Sequence, residues 1–486
     1  MAPQTGQLIS SAKLAAPNVS IFRSGDIRGR YPDQVSESMA FALGCFLSER
    51  LGARASVALA RDTRDSGGSL FEALVSGLSG SGHQLIDLGV VPKEVASYAL
   101  IKEIADLAVV VTASHHPAGM NGFKILEQPG TSKSQGDVIQ AFSHWLPYFD
   151  KRDQAPTSEA AMPLDLSDQY ADWLIAQLPL PEVVSPLLVC GLGGTADSVA
   201  DPLIKKLGWK VTKNQWIRGA LPEEGPDPRL PGNRQLIQSA IAEADANWAV
   251  AWDGDCDRCV FFDRAGHEIA TPYLNQILIE SLPVTPSLLC VTDGRSVFNA
   301  ETALARRGGH LQVVESGSVW VRRAMMASGA AYGVESSSHH YFSELSGFES
   351  GFLTFLKTVS ALERWGGDVE VARDACREDA RCLAEMTIID LSVDQAVDCL
   401  EKGFGRFRQR GSGTSSQVVF SEADDWRVSL QASKTESALR VNVETKNPLR
   451  SIEALGGEFL ASMGVAMAKA AAPSERRLSR HALIAL

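Results

Sequence analysis

The sequence lacks any long apolar run. Nothing in its 486 residues approaches the ~18 consecutive apolar residues of a membrane-spanning helix. The opening MAPQTGQLISSAKLAAPNV has no basic start followed by an apolar core, so the chain reads as a cytoplasmic protein with no membrane partner. An excess of positive charge is missing as well. With 46 Lys and Arg against 58 Asp and Glu, the formal net charge is −12. That balance gives no footprint for nucleic acid and disfavours an anionic membrane surface, so an anionic substrate would need a locally positive cleft. The eight cysteines (45, 190, 256, 259, 290, 376, 382 and 399) are scattered singly, as expected of reduced, mostly buried thiols rather than a disulfide framework. Cys256 and Cys259 form one C-x-x-C, but no second pair follows at zinc-site spacing, so they read as strand and loop residues.

What is present is the composition of a soluble globular protein, 45% apolar and 21% charged. At ~100 to 200 residues per domain, the length predicts roughly three or four domains. Short β-rich runs ending in Gly, Asp or Ser alternate with helical patterns: SVALARD (56–62), LAVVVTAS (107–114), LLVCGLGG (187–194), WAVAWDGD (248–255), SLLCVTDG (287–294), LQVVES (311–316) and AAYGVES (330–336). This alternation predicts α/β layers over a largely buried sheet, with functional groups at strand ends. The Pro- and Ser-containing stretch 148–165 reads as a linker, which puts a first boundary near 155. Further boundaries are expected near 270, after the WDGD loop, and near 380, where the pattern changes to that of an α+β domain. Residues 470–486, AAAPSERRLSRHALIAL, read as a frayed basic tail or, less simply, an amphipathic partner helix.

Four constellations carry chemistry. In VVVTASHHPAGMNGFKI (109–125), Ser114 beside His115 invites a hydrolase reading, but the nucleophile elbow of that fold needs G-x-S-x-G. The alternative is a nucleophile toward phosphorus, which requires a divalent metal and phosphate-binding groups elsewhere in the chain. AWDGDCDRCVFFD (251–263) places Asp253, Asp255 and Asp257 at alternate positions after an apolar strand, and alternate residues of an extended chain point to one side. Three converging carboxylates repel one another unless a hard cation neutralises them, and oxygen-only ligation suits Mg²⁺. A calcium loop would need a later Gly and a Glu at position 12, both missing here. Arg258, next in line, can meet a phosphate oxygen. YGVESSSHHYF (332–342) sets Glu335, Ser337 and His339 at alternate positions, offering hydroxyl-binding groups and a titratable imidazole; surface loop and site both remain open for it. QASKTESALR (431–440) brings Ser433, Lys434, Thr435 and Arg440 into a polar loop between strands, a possible phosphate cradle that resembles many other polar turns.

Together and in this order, these elements resemble the α-D-phosphohexomutase family, nearest its bacterial phosphomannomutase and phosphomannomutase/phosphoglucomutase branch. The resemblance covers essentially the whole chain. It begins at FRSGDIRG (22–29), continues through RDTR (61–64) and the serine loop, and then takes in D-G-D-x-D-R, the G-x-E-x-S-x-H loop and the C-terminal loop. It implies a heart-shaped α/β enzyme of four domains: 1–155 with the phosphoserine loop, 156–270 with the metal loop, 271–380 with the sugar loop, and a small α+β domain 381–486 with the phosphate loop.

Carried over by position, Ser114 would hold the phosphoryl group, and Asp253, Asp255 and Asp257 would bind Mg²⁺ together with it. His115, Lys124, Arg28 and His339 would serve proton transfer and charge stabilisation. Arg258, Glu335, Ser337, Ser433, Lys434, Thr435 and Arg440 would bind the phosphosugar. The implied reaction interconverts mannose or glucose 6-phosphate and 1-phosphate through a hexose 1,6-bisphosphate, in a monomer or weak dimer.

The sequence departs from the family pattern at several positions. His116 stands where the serine loop usually has an amide, Gly25 where a tyrosine precedes D-I-R-G, and Ser318 where a histidine is common. In the last loop Gln431 replaces an arginine, and Lys434 and Ser437 differ too. Losing a bidentate arginine removes about 1.5 to 3 kcal/mol of charged hydrogen bonding, partly recoverable through Lys434. A mutase for another phosphosugar, such as an amino sugar, or a phosphosugar-binding homologue without turnover are therefore the alternatives.

Overall fold

The computed structural model describes residues 21–23, 25–52, 54–128, 135–149, 160–283, 285, 287–383, 385–404, 417–422, 425–432, 438–463 and 477–479. The chain divides into two compact units, residues 1–166 and 167–486. All seven β-rich runs noted in the sequence form strands.

The first unit is built on strands β1 (Ile27–Arg30), β2 (Ser56–Arg61), β3 (Gln84–Val90), β4 (Leu107–Val111), β5 (Met120–Glu127) and β6 (Met162–Pro163), in the sheet order β1-β5-β4-β2-β3-β6. Helices α1 (Glu37–Leu51), α2 (Gly67–Leu78), α3 (Lys93–Ile101) and α4 (Gln135–Trp145) accompany it. Every residue of β4, LAVVV, is buried, which is why that strand reads as a continuous apolar run rather than an alternating one. The sheet must also let two backbones meet closely. A Cβ on Gly122 of β5 would come within 1.9 Å of the Ile27 carbonyl oxygen on β1, so only glycine fits there. The stretch read as a linker differs from expectation at its end, because Met162–Pro163 adds an edge strand parallel to β3. Residues 150–159 of that stretch lie outside the described residues.

Among the described residues, the second unit contains three sheets. The first has the order β10-β9-β7-β8, from β7 (Leu187–Cys190), β8 (Val211–Asn214), β9 (Trp248–Trp252) and β10 (Cys259–Asp263). The second has the order β12-β11-β13-β14-β15, from β11 (Leu289–Thr292), β12 (His310–Val313), β13 (Tyr332–Val334), β14 (His340–Phe342) and β15 (Phe348–Glu349). The last is the order β18-β19-β20-β17-β21 with β16 on β20. It is made of β16 (Arg381–Cys382), β17 (Met386–Ile389), β18 (Gln417–Glu422), β19 (Trp426–Ala432), β20 (Ala438–Thr445) and β21 (Arg477–Ser479). The helices are α5 (Ser167–Ile175), α6 (Asp197–Leu207), α7 (Pro231–Ala244), α8 (Thr271–Ser281), α9 (Phe298–Arg306), α10 (Ser318–Ser328), α11 (Gly351–Leu362), α12 (Val369–Asp379), α13 (Val393–Phe404) and α14 (Ile452–Ser462).

The tail reading needs correction at β21, which pairs in parallel with β17. Composition describes side chains, whereas this strand is recruited by the backbone edge of β17. Among the described residues no helix is long and apolar enough to cross a membrane. All eight cysteines are free.

Candidate functional site

In the first unit, β4 ends at Val111 and the chain turns through Thr112 and Ala113 to Ser114, which is 1% exposed and has φ +54°. A left-handed serine costs of order 1 to 3 kcal/mol unless its surroundings hold it. Here they do. The Ser114 N–H donates to Thr112 Oγ1 (2.8 Å), and Thr112 Oγ1 donates to Asp62 Oδ2 (2.7 Å). The buried Arg64 donates through Nη2 to the carbonyl oxygens of Ser114 (2.9 Å) and His116 (2.6 Å), and through Nη1 to those of Pro117 (2.5 Å) and Met120 (3.0 Å). Its Nε donates to Asp62 Oδ2 at 2.9 Å. RDTR is thus the segment that staples the serine loop, a role the sequence reading did not assign to it.

His115 Nδ1 lies 3.4 Å from Ser114 Oγ, and its ring packs on that of His116 at 4.4 Å between centroids. Arg28, on β1, donates from Nη1 to His116 Nδ1 (3.0 Å) and to Ala113 O (3.4 Å), and its Nη2 pairs with Asp26 at 2.6 Å. His116 Nδ1 also lies 3.1 Å from Ala113 O, so the ring sits between a guanidinium donor and a carbonyl acceptor. Burial, helped by Arg28 and Arg23, pushes the His116 pKa down to about 3, which keeps that ring neutral. The departure at residue 116 therefore places a neutral imidazole directly against Arg28. Lys124, 5% exposed, lies on β5 opposite Val110 of the serine strand.

In the second unit, the three aspartates occupy the loop between β9 and β10, where Cys256 has φ +59°. The sequence expectation of one side of an extended strand is wrong in its cause, since the antiparallel hairpin turns here and the turn itself gathers the carboxylates. Their ligand oxygens lie within 4.8 Å of one another, and all three residues are at most 1% exposed. At that spacing each like-charged pair repels by about 3.5 kcal/mol at an effective dielectric of about 20. Arg258 answers one of them, its Nη2 lying 2.9 Å from Asp253 Oδ2 and its Nη1 3.7 Å from Asp227. Burial works against the charged guanidinium, but Asp253, Asp227 and Asp257 outweigh it and raise its pKa. The three buried carboxylates present an all-oxygen donor set that suits a divalent metal.

The loop is braced from behind. Thr195 donates its N–H and its hydroxyl to Gly254 O (3.1 Å each), and the Gly351 N–H donates to Cys256 O (3.2 Å). A side chain at 351 would collide, its Cβ lying 2.4 Å from Cys256 O. Trp252 stacking on Phe352 (4.9 Å between centroids) brings α11 into that position.

Residues 335–339 connect β13 to β14 and again form a turn, with Ser338 at φ +65°, so alternation is not what assembles them either. Glu335 accepts from the Gly317 N–H (2.7 Å) and the Tyr341 hydroxyl (2.5 Å). Ser337 Oγ bonds His339 Nδ1 (2.8 Å), and His339 Nε2 lies 3.4 Å from Asp257 Oδ1. Arg258 and His339 also pair through their backbones, which joins the two loops. Ser318 opens α10 directly after Gly317.

For the fourth loop, Ser433, Lys434, Thr435 and Ser437 lie outside the described residues. Arg440, on β20 opposite the buried Gln431, donates to Thr387 Oγ1 (2.8 Å) and lies 3.4 Å from Glu385. Glu385 also pairs with Arg295 (2.6 Å), and Arg295 pairs with Asp293 (2.7 Å). The Asp293 carboxylate receives the N–H (3.1 Å) and hydroxyl (2.9 Å) of Ser336. Thr195, Asp227, Asp293 and Arg295 were missed from sequence. Their signal was position after strand-end glycines or within DGR and PDP, which many loops share.

Three family models match the chain. They are described as phosphoglucomutase/phosphomannomutase alpha/beta/alpha domains I, II and III, over residues 19–141, 183–266 and 277–378. "Phosphohexose mutases" of Xanthomonas campestris pv. campestris is 29% identical over 436 residues, covering 89% of this chain and 96% of the relative. A phosphomannomutase of Salmonella montevideo is 29% identical over 476 residues, covering 91% and 98%. The crystal structure of a phosphoglucomutase/phosphomannomutase family protein from Burkholderia thailandensis superposes with a TM-score of 0.77 at 25% identity, covering 92% of this chain and 97% of that one.

Proposed function

The chain belongs to the phosphoglucomutase/phosphomannomutase family and is a phosphosugar mutase, an intramolecular phosphotransferase; from that premise we propose that it interconverts mannose or glucose 6-phosphate and 1-phosphate through phosphorylated Ser114. The observation that carries this reading is the convergence of Asp253, Asp255 and Asp257 in one buried hairpin loop. Mg²⁺ held there would neutralise the carboxylates and draw charge from phosphate oxygens.

Ser114 Oγ carries the phosphoryl group in the resting enzyme. The free sugar hydroxyl attacks phosphorus, the P–Oγ bond breaks, and the hydroxyl proton passes to a basic side chain, for which Lys124, His115 and His339 are the candidates. The resulting hexose 1,6-bisphosphate reorients, Ser114 Oγ attacks its other phosphate, and the isomeric monophosphate leaves. Arg28 and Arg258 stabilise charge that spreads over the transferred oxygens. Glu335, held on both carboxylate oxygens, and Ser337 meet sugar hydroxyls. Ser433, Lys434, Thr435 and Arg440 receive the phosphate that is not being transferred. The domain limits near 155, 270 and 380 are part of the same reading, supported by the spans of the three matching family models.

A second reading, a mutase for a different phosphosugar, is favoured by Gln431. It is buried beside Arg440, and Arg440 is itself engaged with Thr387 and Glu385.

Purified protein with Mg²⁺ and a trace of hexose 1,6-bisphosphate should convert mannose or glucose 1-phosphate, and conversion should stop with EDTA and in Asp255→Asn. Intact mass should show one phosphate that is absent from Ser114→Ala. Turnover of an amino-sugar phosphate alone would favour the second reading. Ligand-induced stabilisation with no turnover on any substrate would refute both.

A further inference from the structure

The segment Pro226–Arg229, between β8 and α7, contacts both the metal loop and the sugar loop through its own side chains. Asp227 Oδ2 lies 3.7 Å from Arg258 Nη1, and Arg258 is the cation held against Asp253. Two residues later, Arg229 Nη2 donates to Ser338 Oγ and to Thr271 Oγ1 (2.9 Å), while those two hydroxyls lie 2.7 Å apart. Ser338 is the left-handed residue of the loop that carries Glu335, Ser337 and His339, and it is 3% exposed.

The segment is itself stiff. Asp227 Oδ1 accepts the Arg229 N–H (2.9 Å), and Asn233 Nδ2 donates to the carbonyls of Gly225 and Asp227 (2.8 Å each). Prolines at 226 and 228 fix two of the backbone φ angles. Arg229 Nε is held at 3.2 Å by Glu268, which Arg234 also pairs at 3.2 Å, so the guanidinium is oriented before it reaches Ser338.

From this geometry we infer that Asp227 and Arg229 form a bracket that fixes the sugar loop relative to the metal loop, with Arg229 a positioning residue for substrate binding. The inference deepens the reading of 335–339 as the sugar-binding loop and rests on it. An unbraced left-handed Ser338 relaxes toward ordinary backbone angles, and that motion swings Ser337 and His339 on either side of it. Arg229 reaches neither reacting atoms nor metal ligands. Its effect reaches the sugar loop through Ser338, directly and by way of Thr271, so it should alter how well the sugar is held and leave phosphoryl loading of Ser114 intact.

The test uses full-length protein and the variants Arg229→Met, Ser338→Ala, the double variant and Asp227→Asn. Amide hydrogen exchange is followed at 335–339 and 253–258, alongside KM, kcat and Ser114 phosphate content. Arg229→Met should speed exchange at 335–339 at least about tenfold with little change elsewhere, and raise KM for the sugar phosphate about tenfold with a smaller change in kcat. Phosphate content should stay at the wild-type level. Adding Ser338→Ala to Arg229→Met should cost less than Ser338→Ala costs alone, because both remove the Arg229–Ser338 bond and only the Thr271–Ser338 bond is left to lose. Asp227→Asn should speed exchange at 253–258. Exchange at 335–339 within twofold of wild type in Arg229→Met, or faster exchange with unchanged KM, would overturn the bracket. If Arg229→Met does not fold, Ser338→Ala and Asp227→Asn decide by the same readouts. A wild type that turns over no sugar phosphate refutes the proposed function, and exchange alone then decides the bracket.

Discussion

Replacing Arg64 by Met should disconnect the serine loop while leaving the sheet beneath it intact. The guanidinium binds the carbonyls of Ser114, His116, Pro117 and Met120 at 2.5 to 3.0 Å and the Asp62 carboxylate at 2.9 Å, and Arg64 is only 4% exposed. Removing it takes the cation away from a carboxylate that is 3% exposed and keeps the Thr112 hydroxyl as a donor. Breaking a buried ion pair from one side costs about 3 to 5 kcal/mol. Each orphaned carbonyl would add about 1 to 3 kcal/mol if it stayed buried, but a freed loop can turn those oxygens to water, so the terms do not sum. The expected loss is therefore about 3 to 5 kcal/mol, read as a lower urea midpoint for the first unit.

Activity should suffer more than stability. A displacement of about 1 Å at the nucleophile costs on the order of 100-fold in rate, so loading of Ser114 from hexose 1,6-bisphosphate, timed by intact mass, should slow by at least that much. Arg64→Lys restores a point charge beside Asp62 but not the planar fork, and should recover stability better than rate. Wild-type loading and an unchanged urea midpoint in Arg64→Met would refute the claim that this residue holds the loop. Wild-type loading in Arg64→Lys would refute the importance of the fork.

Two further perturbations separate backbone sterics from protonation. Gly122→Ala places a methyl within 1.9 Å of a backbone oxygen on β1, so the strands must part; a loss of about 3 kcal/mol or more is expected, and a urea-derived change under about 0.5 kcal/mol would contradict it. His340 is 1% exposed, bonds the Tyr332 hydroxyl at 2.6 Å, and has its pKa pushed down to about 3 by burial, with His339 and Arg229 adding to the effect. The unfolded chain takes up that proton below about pH 6.5 and the folded chain does not until about 3. This contribution is therefore fully present above about 6.5 and declines as pH falls, by about 2 kcal/mol at pH 5. His340→Phe should flatten that part of the urea stability-versus-pH curve, and an unchanged slope would refute it.

Much of the site was legible because its chemistry is local in sequence. Asp253, Asp255 and Asp257 fit within one short loop, and Ser114 sits three residues past an apolar strand, so charge repulsion and strand endings announced them. The reason given for their convergence was mistaken: a period of two describes extended chain, and both the 253–258 and 335–339 segments turn. Arg64, Asp227 and Arg229 went unassigned because their partners lie far along the chain, at Ser114, Arg258 and Ser338. No spacing rule connects those positions. Likewise His116 looked like a lost amide, and only the position of β1 shows that its ring meets Arg28.

The sequence by itself determined the layers, the strand ends and the residue types of the chemistry, because hydrophobic period and local charge act within a few residues. Tertiary structure alone decided how those groups are held: which guanidinium clamps the serine loop, which glycines admit a backbone oxygen, and that β21 joins the last sheet. These depend on contacts between distant segments, where hydrogen-bond geometry and close packing act over a few ångströms of space rather than a few residues of chain.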